Sequence, residues 1–561
     1  MTESCNIAAA LPRLAAEAPD RIAMRYPGRD GQYADALTYA ELDRRSDAIA
    51  AGLAKRGIVR GSRTVVMVRP TPEFFLLMFA LFKAGAVPVL VDPGIDKRAL
   101  KQCLDEAEPH AFIGIPLAMF ARTLLGWAKK TTRVRITTGQ RAWLADATLA
   151  QVEQDGAGAG AQLTDTAPDD MAGILFTSGS TGVPKGVVYR HRHFMAQIGM
   201  LGGAFDIEAG GVDMPTFPPF ALFDPALGLT SIIPDMDPTR PAQASPVKLH
   251  ASIERFGVDQ LFGSPALMRV LAEYGRPLPS LRRVTSAGAP VPAEVVARMH
   301  ELLPADANFW TPYGATECLP VSVIEGRELI ALRERNRQGA GTCVGRPVPP
   351  NEVRIIRVRD EAIPDWSDDL VVEGDLIGEI TVAGPTATDA YWNRDEQTRL
   401  AKIREVLPDG SERIVHRMGD LGYFDAEGRL WFCGRKSHRV VSAEAGTLCT
   451  EQVEPVFDTH PEVRRTALVG VGTAPAQRPV LCVELQPGVA ASERARIAAE
   501  LRHIGEGFVH TAHVQTVLFH PGFPVDIRHN AKIGREKLAV WAEQRLRRAP
   551  AGDGVTQEDA R

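Results

Sequence analysis

Hydroxyls, glycines and one lysine crowd into the stretch Ile174–Val188, which reads ILFTSGSTGVPKGVV. The apolar run Ala172–Phe176 predicts a short buried strand. Thr177, Ser178, Gly179, Ser180, Thr181 and Gly182 then supply a loop of small residues whose backbone can approach a ligand closely. Successive N–H groups in such a loop form a concave anion site, and Lys185 adds a mobile positive charge. The chemistry is that of holding phosphate. It is not that of a Walker loop, where Gly-Lys is followed by a Ser or Thr hydroxyl that sits on magnesium. Here Pro184 precedes Lys185 and Gly186 follows it. A flexible Ser/Gly linker is the bland reading, and it does not explain an exit from an apolar strand straight into Pro-Lys-Gly.

Four further stretches fall at the ends of expected strands, where α/β sheets place their ligands. TSAGAPVP (Thr285–Pro292) offers Gly288, Ala289 and Pro290, small enough for a flat ring to lie against the backbone. TPYGATE (Thr311–Glu317) combines an aromatic plate, Tyr313, with Gly314, the hydroxyl of Thr316 and the carboxylate of Glu317. In HRMGDLGYFDAEGRLWFCGRK (His416–Lys436), Asp420 and Arg435 bracket a β-hairpin pattern. PVDIRHNAKIGR (Pro524–Arg535) leaves Lys532 isolated near the end of the chain. Singly, a Gly-Asp pair reads as a turn and a lone lysine as a solvated charge.

The elements that must position these residues follow from apolar runs. Arg63–Val68, Val87–Val91, Ala111–Ile115 and Val134–Ile136 alternate with helix-like stretches, a pattern of parallel βα units. A second alternation follows: Leu249–Phe256 helix, Gln260–Phe262 strand, Ala266–Tyr274 helix, Leu281–Thr285 strand. From Thr342 to Val382 the pattern turns to β. After Gly434 the runs TALVGV and VLCVEL, the helix ASERARIAAELRHI, the strand VQTVLF and a last helix near Arg535–Arg547 predict a small α+β domain. The expected class is α/β: a large N-terminal domain, 1–434, with parallel-type βα sheets and a β-rich subdomain, then a small mobile α+β domain, 435–548. A polar tail, 549–561, is expected to fray.

With 561 residues the chain exceeds one ordinary core. Its net charge of −5 argues against nucleic acid as a partner. Seven scattered cysteines without metal-like spacing predict reduced thiols, and no basic segment leads into an apolar one at the start, so a cytoplasmic location is expected. The most membrane-like segment, Pro72–Pro93, is broken by Lys83, Gly85 and Pro88, so it predicts a buried helix and a buried strand rather than a span.

Together these residues resemble the adenylate-forming superfamily of acyl-CoA synthetases, luciferases and peptide-synthetase adenylation domains. The likeness runs from LTYAELDRRSDAIAAGL to Lys532, with YGATE, GRPVPP and GEITVAGP…YWN in the expected order. It implies that Thr177–Lys185 wraps the β- and γ-phosphates of ATP. Gly288, Ala289 and Pro290 would border adenine, with Tyr313 stacked on it beside Gly314. Thr316 would touch the α-phosphate, Glu317 would hold Mg²⁺, Asp420 would accept from the ribose hydroxyls, and Arg435 would reach ribose or phosphate. Lys532 would bridge the substrate carboxylate and the α-phosphate. The residue types suit the reaction: a carboxylate attacking a phosphate brings two anions together, and cations must offset the repulsion. His191 aligns with a histidine common in the family, although helix capping or packing accounts for it equally well.

The chain also departs from its relatives. The Gly-Tyr-Arg core of the loop beside the CoA path is Ala445-Gly446-Thr447, and the hinge Arg435-Lys436-Ser437 has serine where Asp or Lys is common. The Phe-His pair of the acyl pocket is Phe220-Ala221. The stretches FPPFALFDP, SAEAGTLCTEQ and PVDIRHNAKIGR resemble one branch, the β-lactone-forming synthetases of bacterial long-chain hydrocarbon biosynthesis. That resemblance implies a long-chain 2-alkyl-3-hydroxy acid as substrate, ATP and Mg²⁺ but no CoA, and partner olefin-biosynthesis enzymes in a multienzyme assembly. A long-chain acyl-CoA synthetase or fatty-acyl-AMP ligase is the alternative within the fold. A catalytically silent nucleotide-sensing scaffold is the alternative outside it.

Overall fold

Short Val/Ile-rich strands separated by helices return to one sheet by crossing over, which makes neighbours parallel. The computed structural model, which describes residues 5–28, 30–91, 95–177, 184–525 and 533–548, has such a sheet of seven strands. Ala147–Thr148, Val134–Thr137, Ala111–Gly114, Arg63–Met67, Val87–Leu90 and Met171–Phe176 lie parallel in that order. Gly186–Arg190 closes the edge antiparallel to Met171–Phe176. Ser178, Gly179, Ser180, Thr181, Gly182 and Lys532, with the tail 549–561, lie outside the described residues.

Behind this sheet the helix Pro72–Lys83 is buried along every residue from Phe74 onward, with proline at its start where no N–H is missed. Its last residue is charged: the Lys83 ammonium lies 2.6 Å from both Asp43 and Asp47, which is why a lysine can end this helix inside the core. Among the described residues no helix is long and apolar enough to cross a membrane.

The second sheet has fourteen strands and changes character along its length. Val212–Pro215, Gln260–Gly263, Arg283–Ser286 and Asn308–Ala315 are parallel. Cys318–Glu325 then folds back antiparallel, and Thr342–Pro347, Leu430–Arg435, Glu412–Phe424, Gly378–Ala383 and Glu352–Ile356 continue antiparallel as the β-rich part. One detail differs from the sequence reading. Thr311–Ala315 lies within a strand rather than after one, and only Thr316 and Glu317 form the turn.

Beyond Arg435 the chain makes a single 3₁₀ turn, Lys436–His438, that carries Ser437. Lys436 is tied to Glu379 at 3.0 Å and Arg439 to Asp360 at 2.6 Å on either side of it. The remaining chain packs a three-stranded sheet, Val463–Val471, Arg478–Leu485 and Thr516–Phe519, against the helices Thr450–Phe457, Arg494–Glu506 and Arg535–Arg548. Val453, Phe457, Leu481, Ile497 and Leu501 are central to its core. All seven cysteines are free thiols.

His191 opens the helix His191–Ala204, but it is His193 that caps, its Nδ1 accepting from the Arg190 N–H at 3.0 Å. His191 is fully buried, and neither ring nitrogen meets a hydrogen-bond partner among the described residues, so packing is its role. Burial pushes its imidazole down to about 4, nearby Asp170 opposing the shift. Because the folded state resists the proton that the unfolded chain takes up near pH 6.5, stability is lost as pH falls from about 6.5 toward 4. From pH 7 to pH 5 this one group is expected to lower stability by about 2 kcal/mol. Urea unfolding at the two values should show a smaller difference in His191→Leu than in the parent. An unchanged difference would place the effect elsewhere.

Candidate active site

A cavity of about 1830 Å³ opens between the two sheets and the small C-terminal unit. All five motifs contribute residues to its wall. Thr177 and Lys185 reach it from one sheet; Gly288, Ala289, Pro290, Tyr313, Gly314, Thr316 and Glu317 reach it from the other. Asp420, Arg435, Lys436 and Ser437 complete that end. Of the fifth motif, Ile533 and Arg535, one and three positions after Lys532, line the same cavity.

Asp420 and Arg435 face each other because their strands pair in that register. The Tyr313 hydroxyl donates to Asp420 Oδ2 at 2.6 Å, and Arg435 Nη1 lies 2.9 Å from Oδ1. Oδ1 itself receives no aligned hydrogen bond from a described group, so a buried acceptor remains for a ligand hydroxyl. Burial raises the Asp420 carboxyl, and Arg435 and the Tyr313 hydroxyl oppose that rise. The same burial, with Asp420 beside it, pushes the Tyr313 phenol well above its usual range. Tyr313 therefore acts here as a hydrogen-bond donor to the acid, and it shares the cavity wall with Gly288, Ala289 and Pro290.

Glu317 is held from three directions. Tyr391 donates its hydroxyl to Oε1 at 2.7 Å, and the Thr388 N–H and Oγ1 both reach the Glu317 carbonyl at 2.9 Å. The preceding carbonyl, of Thr316, accepts from the Tyr189 hydroxyl at 2.5 Å. Lys185 Nζ sits 4.3 Å from the centre of the Tyr391 ring, a cation–π contact that carries the loop lysine toward the acid. Burial lowers the Lys185 ammonium, with Glu317 opposing it. Behind them the fully buried Lys402 donates to Thr388, and burial brings its ammonium down to about 8. Tyr391, Thr388 and Lys402 were not singled out from the sequence. Their only trace there is the YWN end of GEITVAGP…YWN, since what they do depends on contacts across the fold.

The Glu317 carboxylate, in a cavity that also presents Thr177 and Lys185, is the kind of donor Mg²⁺ favours, an ion bound through one or two acids plus substrate phosphates and water. The site fits that ion.

The other end of the cavity is apolar. Phe220 fronts it, packed edge-on against Phe262 with ring centroids 4.5 Å apart. Its neighbour Ala221 does not: at 1% exposure it lies in the core behind. The cause is local. Pro218–Leu222 is a 3₁₀ turn, in which consecutive residues point about 120° apart. Phe220 and Phe223, three apart, share the cavity side, with Met78, Phe82 and Phe194 across from them. Ala445-Gly446-Thr447 lies in the small two-stranded hairpin Val440–Ser442/Gly446–Leu448, away from this wall.

A polar end with a loop lysine and two acids joined to an apolar end, under two sheets and a small α+β unit, defines a class. The chain belongs to the AMP-binding enzyme family, whose model matches residues 11–392, and it is an adenylate-forming ligase. It is 70% identical over 549 residues to the olefin beta-lactone synthetase of Xanthomonas campestris pv. campestris, spanning 97% of this chain and 98% of that one. It is 66% identical to the olefin beta-lactone synthetase of Stenotrophomonas maltophilia, spanning 97% and 99%. Among solved structures, ATP-bound MatB from Rhodopseudomonas palustris shares the fold, with a TM-score of 0.74 at 21% identity over 96% of this chain and 99% of that one.

Proposed function

We propose that this enzyme uses ATP and Mg²⁺ to adenylate a long-chain 2-alkyl-3-hydroxy acid, then closes a β-lactone with release of AMP, without CoA. What carries the reading is the 70% identity, over nearly the full length, to a protein named olefin beta-lactone synthetase.

In the first step a carboxylate oxygen of the acid bonds to the α-phosphorus and the bond to pyrophosphate breaks. Thr177, Ser178, Gly179, Ser180, Thr181, Gly182 and Lys185 would hold the departing phosphates. Gly288, Ala289 and Pro290 would flank adenine, Gly314 would let the backbone come close, and Tyr313 would cover the ring. The free acceptor on Asp420 suits a ribose hydroxyl, and Arg435 beside it suits ribose or phosphate. Thr316 would donate to the α-phosphate. Glu317, oriented by Tyr391, would hold Mg²⁺, whose charge when bound offsets the approach of the two anions. Lys532 would bridge carboxylate and α-phosphate. In the second step the 3-hydroxyl oxygen bonds to the carbonyl carbon, the carbonyl–phosphate oxygen bond breaks, AMP leaves and the hydroxyl proton is lost. Tethering the nucleophile two carbons from its target makes the step intramolecular. The apolar end around Phe220 would hold the alkyl chains and keep water from the mixed anhydride.

In this reading residues 1–434 bind ATP and acyl chains, 435–548 carry Lys532, and Arg435–Lys436–Ser437 is the pivot between them. Enzymes that supply the hydroxy acid and consume the lactone, in a multienzyme assembly in the cytoplasm, are the proposed partners. Incubating a synthetic 2-alkyl-3-hydroxy acid with ATP and Mg²⁺, then examining the extract by mass spectrometry and NMR, should give a product one water lighter with lactone ring protons and stoichiometric AMP. Acyl-CoA as the only product when CoA is added, or free acyl-adenylate when it is not, would replace this reading with that of an acyl-CoA synthetase or acyl-AMP ligase.

A further inference from the structure

The helix Pro116–Leu125 is apolar on both sides, which a surface helix ordinarily is not. Its inner side meets the cavity at Ala118, as does Ile115 just before it. Its outer side presents Leu117, Phe120 and Leu124, spaced i, i+3 and i+7, at 67%, 45% and 70% exposure. Trp143, 61% exposed, stacks on Phe120 with centroids 6.1 Å apart and planes within 10°. Scattered exposed apolar residues are ordinary, but a contiguous stripe marks an interaction surface.

The charge carried along this stretch of sequence is one-sided. From Pro116 to Ala145 the sequence holds six Lys/Arg and no Asp/Glu, in a chain of net charge −5. Lys129, Lys130, Arg133 and Arg141 among them are exposed. We propose that this face seats the protein on the surface of an anionic lipid bilayer. Leu117, Phe120, Leu124 and Trp143 enter the boundary between headgroups and acyl chains, and the basic residues meet the headgroup phosphates. The seat puts the bilayer on the far side of a helix whose inner residues bound the same cavity. A long-chain acid or its lactone then exchanges with lipid rather than with water, a consequence that rests on the function proposed above.

The test uses the full chain without nucleotide or acid, sedimented with phosphatidylcholine vesicles and with vesicles containing phosphatidylglycerol. Binding is expected to the anionic vesicles, and to weaken in high salt. Leu117→Glu/Leu124→Glu and Lys129→Glu/Lys130→Glu should each weaken it by roughly tenfold or more. Both variants should retain ATP–pyrophosphate exchange with a detergent-dispersed acid, which shows that they fold. Equal binding by parent and variants overturns the proposal. So does absence of binding to any vesicle, and if the protein then self-associates in a way Leu124→Glu abolishes, the stripe belongs to a second copy of the chain. Because the readout needs no turnover, its failure leaves the lactone assay unaffected.

Discussion

Lys532→Ala is expected to lower ATP–pyrophosphate exchange on the order of 10²-fold or more while ATP affinity stays within about threefold. The proposed ammonium stands between a carboxylate and a phosphate that repel each other most strongly as the new bond forms. An interaction gained mainly in the transition state appears in kcat and not in ground-state binding. Ser437→Pro should show the same division, since it fixes φ and removes an N–H in the single turn Lys436–His438, the pivot proposed above for the lysine's unit. Pyrophosphate exchange and calorimetric titration with ATP measure the two quantities separately. Exchange within about threefold of the parent for Lys532→Ala would remove that residue from the mechanism.

Asp420→Ala is expected to do the reverse, weakening ATP binding about ten- to hundredfold, the equivalent of about 1.5–3 kcal/mol for hydrogen bonds to a charged acceptor. The acid is buried between two neighbours: it accepts from Tyr313 at 2.6 Å, faces Arg435 at 2.9 Å, and keeps one oxygen without an aligned donor. Its loss frees the Tyr313 ring from its anchor as well as removing the acceptor, so the effect should fall on ground-state affinity for the whole nucleoside. Calorimetry with ATP decides it, and an unchanged dissociation constant would move the ribose elsewhere.

What could be read from the chain divides along contact range. Strands such as Arg63–Met67 and Ala111–Gly114 announce themselves because buried parallel strands are nearly continuous apolar runs. Asp420 and Arg435 are likewise readable, since a hairpin pairs residues that lie close in sequence. Thr311–Ala315 is less so: its pairing with Cys318–Glu325 makes a strand of a stretch whose Pro and Gly look like a turn. Ala221 goes astray because adjacency in sequence implies a shared side only if the local helix type is known. The role of Tyr391, present in the sequence only as the first letter of YWN, could not be read, its partner Glu317 lying 74 positions away.

The segment Thr388–Trp392 has a consequence for motion. Val188 N–H donates to the Ala390 carbonyl and Trp392 N–H to that of Gly186, so this loop rides on the edge strand Gly186–Arg190 as an added rung. Thr388 and Tyr391 hold Glu317 from that rung. Lifting that rung means peeling backbone from a sheet, so the Val188 and Trp392 amides are expected to exchange slowly. Phe220, by contrast, is carried by a single 3₁₀ turn, so the apolar end can breathe on a faster clock while the charged end keeps its geometry.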